Sequence, residues 1–108
     1  MGSKERIIEI SRELDLSHLG SCLSAVDGIE AIYQVKSPDE RFILSNGHAA
    51  LALYVVMEKY GFLDADKVIE TFGIHCDVEA GCDVSTGSLG QGLPIAVGMA
   101  LADRSKKV

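Results

Sequence analysis

Nine consecutive apolar residues, Ala49 through Met57, constrain this chain more than any other stretch. Asn46-Gly47-His48 opens the segment after a short apolar run, and Gly61 is a natural C′ residue beyond it, so the spacing predicts a helix over 47–60. A helix that is apolar nearly all round has no face to give to water and must be covered on most sides. The chain has 108 residues, one domain at most. The cover is therefore expected from a core larger than this chain or from a partner subunit.

The other elements read as companions of that helix. Residues 3–14 form an amphipathic helix with Ile7, Ile10 and Leu14 on one face and Ile8 flanking them. A second helix is predicted over 21–35, capped by Ser21, with Cys22, Val26, Ile29 and Tyr33 as its buried stripe. Gly28 weakens it unless another backbone packs close by. Ser37-Pro38-Asp39-Glu40 is a turn, and Arg41 to Ser45 is the one convincing strand. A short helix over 64–71 is capped by Asp64, with Ala65, Val68 and Ile69 turned inward. From Phe72 to Ser88 no period holds; a loop of roughly 17 residues is longer than most connections and commonly functional. A last helix is predicted over about 90–104, and the chain then ends where an apolar strand could start. One strand makes no sheet. The order fits an unusual all-helical fold or the opening portion of an α/β domain whose strands come later.

Composition removes several classes. With 47% apolar and 24% charged residues, disorder is not the default. A net charge of −6 without a basic patch argues against nucleic acid. No run approaches the ~20 apolar residues that cross a bilayer, and the N-terminus lacks a signal peptide's apolar core. A cytoplasmic location without membrane contact is expected by elimination. Three cysteines, odd in number and without a disulfide framework, agree with a reducing compartment.

The chemistry-bearing residues gather in loops. Gly87, Gly90 and Gly92 leave no Cβ to obstruct a ligand, and Pro94 falls in the first turn of the following helix, where its missing N–H costs nothing. This cluster is neither a Rossmann fingerprint, since Gly92 is followed by five residues before Gly98, nor a Walker loop, since Leu93-Pro94 stands where Lys-Ser/Thr is needed. His48 begins a helix after a strand, a setting suited to an anion met by helix amides and an imidazole N–H. His18 lies in the break between two helices and His75 in the long loop. His75, Cys76 and Cys82 fit no zinc-ligand spacing, and the cysteines read more simply as small buried apolar groups. None of the three histidines interrupts an apolar stripe, so loops converging at one end of a sheet could bring them together.

Two segments resemble a known family. Asp39-Glu40-Arg41-Phe42-Ile43-Leu44-Ser45-Asn46-Gly47-His48-Ala49 is similar to a segment of transketolases, and so is Ser85-Thr86-Gly87-Ser88-Leu89-Gly90-Gln91-Gly92-Leu93 followed by Ala96-Val97-Gly98-Met99-Ala100. Ser17-His18-Leu19-Gly20 sits where the family has Gly-His-x-Gly, and Ile74-His75-Cys76 where it usually has Gly-His-Pro. The resemblance covers nearly the whole chain.

It implies an α/β fold, of which residues 1–108 are a partial thiamine diphosphate-binding domain, mostly helical with few strands. The implied reaction is transfer of a two-carbon ketol unit between sugar phosphates, the cofactor carrying the hard step. By the same resemblance His48 contacts the diphosphate, while the backbone of Gly87 and Leu89, with Ser88 between, approaches the aminopyrimidine. His18 and His75 face the sugar-phosphate substrate. The family's Gly-Asp-Gly metal motif would begin just past Val108, so Mg²⁺ is expected for the complete enzyme with its ligands absent here. A chain of this kind is expected to be inactive alone and to pair with itself or with a companion chain. The alternatives are a non-catalytic binding or assembly module and one part of a split enzyme completed by a second chain.

Overall fold

The computed structural model describes residues 2–108 and orders them as five α-helices: α1 (Ser3–Leu14), α2 (Leu19–Val35), α3 (Ala50–Lys59), α4 (Ala65–Phe72) and α5 (Gly92–Ala102). Short 3₁₀ turns at Gly47–Ala49 and Val78–Ala80 complete the regular structure. Helix α3 is the axis of the molecule. Every residue from Ala50 to Met57 is buried, and α1, α2 and α4 pack around it. Full burial of each Leu or Val there contributes about 1.5–3 kcal/mol. This corrects the expected source of cover: α3 is sheathed by its own chain, because Ile7 and Ile10 of α1, Cys22, Val26 and Ile29 of α2 and Ala65 and Ile69 of α4 supply the apolar surface.

The end of α3 is set locally. Gly61, at φ +83°, donates to the Glu58 carbonyl at 2.9 Å, and Phe62 donates to the Met57 carbonyl at 3.0 Å. That pair of bonds is a Schellman cap, which needs the positive φ that glycine adopts without strain. Glu58 then has a second task. Its carboxylate accepts two hydrogen bonds from Arg6, at 2.9 and 3.0 Å, and one from the Ala65 N–H at 3.0 Å. Thus α1, α3 and the start of α4 are tied at one carboxylate. It takes over the capping expected of Asp64, whose side chain caps nothing and pairs with Lys67 at 3.5 Å instead.

Three further expectations are corrected. Helix α2 begins at Leu19, two residues before Ser21; its N-cap is His18, in the left-handed region at φ +65° with no side-chain cap bond. The last helix spans Gly92–Ala102, shorter at both ends than 90–104, because Gly90 takes φ +81° and Asp103 turns extended. The segment 41–45 forms no strand, and no strand occurs among the described residues. A ladder needs a neighbouring backbone, and the amides here go elsewhere. Phe42 N–H donates to the Asp83 carboxylate at 2.7 Å, and the Leu44 carbonyl accepts from the Thr86 hydroxyl at 2.7 Å. Arg41 N–H alone finds a main-chain partner of the ladder kind, the Lys107 carbonyl at 3.2 Å. The described residues are therefore helical, and the sheet of an α/β fold is not among them.

Helix α5 is the exception to the packing. Gly92 is its one buried residue, while Leu93 is 67% and Leu101 61% exposed. Exposed apolar side chains are therefore concentrated on α5 and not on α3. No helix of the described residues is long and apolar enough to cross a membrane.

Two outcomes follow from this packing. A methyl group on Gly28 would meet nothing within 4 Å, so Gly28→Ala should raise stability by about 0.5–1 kcal/mol in urea unfolding through the helix-propensity gain alone. The Arg6 guanidinium holds the Glu58 carboxyl below its ordinary value of 4.5. A depressed folded value means that the ion pair stabilises the protein above the ordinary carboxylate range and loses that contribution as pH falls through the lower folded value. Urea midpoints should therefore drop on acidification less in Glu58→Gln than in the wild type. At pH 7 Glu58→Gln should cost about 1–3 kcal/mol.

Candidate functional site

Three loop segments cross where the polypeptide passes from residue 44 to 48, and main-chain groups make the crossing. Cys76 N–H donates to the Gly47 carbonyl at 3.1 Å, and Thr86 N–H donates to the Cys76 carbonyl at 3.1 Å. The Thr86 hydroxyl closes the circuit on the Leu44 carbonyl. The approach is so close that a methyl group on Gly47 would lie 2.3 Å from the Thr86 carbonyl carbon. Gly92 plays the same part at the base of α5, where a methyl group would lie 2.5 Å from Ser45 Cα. Two of the glycines flanking this loop system are thus packing requirements first.

The crossing gathers the histidines. His48 lies half-buried in the 3₁₀ turn that leads into α3, and His18 stands exposed at the N-cap of α2. Their ring centroids are 5.0 Å apart. His75, exposed on the long loop, brings its ring to 6.5 Å from that of His18. The His75 ring packs closely enough on Gly87 that a methyl group there would sit 3.0 Å from Cδ2. All three histidines, distant in sequence, share one face.

Beside them opens a cleft of about 550 Å³ lined by His75, Ser85, Thr86, Gly87, Ser88 and Gln91. Of the residues singled out in the sequence, His75, Gly87 and Ser88 line it. His18 stands next to His75, and His48 next to His18, without lining it, and Leu89 is 76% exposed beyond it. The walls are hydroxyls, an amide side chain, an imidazole and bare backbone. Such a surface can donate and accept hydrogen bonds to a polar ligand while leaving room for a ring. Among the described residues no three His, Cys, Asp or Glu side chains are grouped to hold a metal ion, so zinc at His75, Cys76 and Cys82 finds no support.

Under the cleft lies a residue that the sequence pattern did not single out. Tyr54, on the buried helix, is fully inaccessible, and its hydroxyl donates to the His75 carbonyl at 3.3 Å. The same oxygen accepts from Asp77 N–H at 3.2 Å and from the Cys82 thiol at 3.7 Å. Burial holds the phenol well above its usual range, so it stays a neutral donor. The Cys76 thiol is also pushed up, by its hydrogen bond to Cys82 and by burial. The available signal was Tyr54 itself: one hydroxyl in an otherwise apolar run must find a partner when buried.

A methyl group should be costly at one glycine and cheap at another. Gly47→Ala meets backbone and should lose about 1–3 kcal/mol in urea unfolding. Gly87→Ala meets only the edge of an exposed ring; it should leave the unfolding midpoint nearly unchanged while shifting the His75 imidazole resonances in NMR.

The family model described as "Transketolase, thiamine diphosphate binding domain" matches residues 35–108. The chain is 32% identical to one of the subunits of apulose-4-phosphate transketolase from Phocaeicola vulgatus, over 97% of its own length and 43% of that protein. It is 34% identical to 6-deoxy-6-sulfo-D-fructose transketolase subunit SqwG of a Clostridium species, covering 83% of the chain and 39% of that protein. Against transketolase of Pongo abelii the identity is 39% over 77% of the chain, which is 16% of the relative. The chain thus spans less than half the length of these relatives. Among solved structures none matches.

Proposed function

This chain belongs to the transketolase family, and we propose that residues 1–108 form part of a thiamine diphosphate-binding domain in an enzyme that passes a two-carbon ketol unit between sugar phosphates. The observation that supports this reading best is the convergence of His18, His48 and His75 beside a cleft walled by Ser85 to Ser88. The cleft's volume lies within the range of small-molecule sites, and its wall at Gly87 and Ser88 has no bulk to exclude a ring. The residues present therefore suit thiamine diphosphate. They do not suit Mg²⁺, so in the complete enzyme its ligands come from residues other than those described.

In this reading His48 donates an imidazole N–H to the diphosphate. The main chain of Gly87 and Leu89, with Ser88 between them, faces the aminopyrimidine. His18 and His75 hydrogen-bond the sugar phosphate and move protons at its hydroxyl groups. When bound, thiamine diphosphate supplies the electron sink that allows the bond beside the ketone to break and re-form. A companion chain is part of the proposal. Two of the similar proteins are named as subunits, and α5 offers Leu93, Val97 and Leu101 as uncovered apolar surface. We place the assembly in the cytoplasm.

Calorimetry separates the parts of this reading. Thiamine diphosphate should bind the 108-residue chain, and His48→Ala should weaken that binding about tenfold or more, the loss of one charge-assisted hydrogen bond. Thiamine without its diphosphate should bind equally to both forms. Equal affinity of wild type and His48→Ala for thiamine diphosphate would remove His48 from the diphosphate. No binding by the wild type, with or without a companion chain carrying a Gly-Asp-Gly segment, would favour a non-catalytic assembly module.

A further inference from the structure

We propose that Tyr54 is the positioning residue for His75, acting through the main chain of the loop that carries it. The proposal rests on the reading that His75 faces the ligand, but its geometry stands apart from that reading. His75 is exposed, and no hydrogen bond to its imidazole is present among the described residues. What fixes the ring is therefore the path of its backbone and its contacts with Gly87 and the His18 ring. Tyr54 Oη holds that path at two points, the carbonyl of His75 and the amide of Asp77, on either side of Cys76.

The intervening residue is held from the other side. Cys76 N–H and carbonyl bond to Gly47 and Thr86, so residues 75 to 77 are gripped alternately by the buried phenol and by the crossing loops. The anchor is stiff because Tyr54 is packed at zero exposure in the middle of α3, with buried Leu53 and Val55 beside it. Tyr has two side-chain torsions, both fixed by that packing, so its hydroxyl is placed by the helix. The hydroxyl thus converts the rigidity of the core helix into a fixed position for an exposed imidazole.

The variant that isolates the effect is Tyr54→Phe, which keeps the ring and its packing and deletes only the hydroxyl. The probe is the 108-residue chain itself, with two NMR contacts read in parallel. The first is the cross-peak between the His75 ring Hδ2 and Gly87 Hα; the second, as internal control, is that between the His18 and His48 rings. In Tyr54→Phe the first should be lost and the second kept, with helical circular dichroism unchanged. A general structural role would weaken both contacts together. Retention of the His75–Gly87 cross-peak in Tyr54→Phe would overturn the proposal.

If Tyr54→Phe does not fold, hydrogen exchange on the wild type decides. The Asp77 amide should be protected like the amides of α3. Exchange at the rate of an open loop would overturn the proposal. None of these readings involves thiamine diphosphate, so a wild type that binds no cofactor would sink the functional reading and leave this inference standing. Where the wild type does bind, Tyr54→Phe should lose affinity for a sugar-phosphate substrate while retaining that for the diphosphate.

Discussion

Everything at the candidate site depends on one main-chain crossing, where Gly47, Cys76 and Thr86 meet backbone to backbone. Three buried polar backbones need partners, and here each satisfies another. The cost is steric: such an approach is open only to a residue with no Cβ on the inner side, which is why position 47 is glycine. The result is that the turn carrying His48, the loop carrying His75 and the segment leading to Gly87 cannot move independently.

Beneath the crossing, α3 serves two purposes that are physically opposed. Its apolar run excludes water and supplies the largest single share of the core, while the phenol of Tyr54 brings a polar atom to the place where water is absent. A buried hydroxyl is tolerable because it is satisfied, donating to His75 and accepting from Asp77. At the C-terminal end of the same helix Glu58 performs the analogous service for α1 and α4 through Arg6 and the Ala65 amide. Two polar side chains of the core helix thus reach out, and each fastens a different part of the chain. Helix α5 has no such fastening beyond Gly92, and its apolar side chains remain uncovered.

Much of the helical layout was legible in the sequence. The stripes of Ile7 and Ile10 and of Cys22, Val26 and Ile29 are buried as their spacing requires, and Gly61 ends α3 where a positive φ was needed. The errors share a cause. Arg41 to Ser45 has the composition of a strand, but whether a strand forms depends on what lies beside it. Its neighbours are a carboxylate, a hydroxyl and a single carbonyl. Asp64 has the chemistry of a cap, but Glu58 arrives at the same amide from the end of α3. The all-round apolar pattern of α3 points to a larger core or to a partner subunit, because the sequence pattern counts apolar faces without showing which of them meet.

By itself the sequence determined which segments are helical, which glycines and histidines carry the family likeness, and that the long loop has no helical or strand period. Those properties are local: backbone preference and the side-chain period act over a few residues. The tertiary structure alone decided that three histidines share a face, that Gly47 and Gly92 are glycine because Thr86 and Ser45 press on them, and that Tyr54 holds the loop of His75. Thr86 and Leu44 are 42 residues apart in the chain and 2.7 Å apart in space. A contact of that kind has no local period to announce it, since it exists only once the helices have packed and carried their loops together.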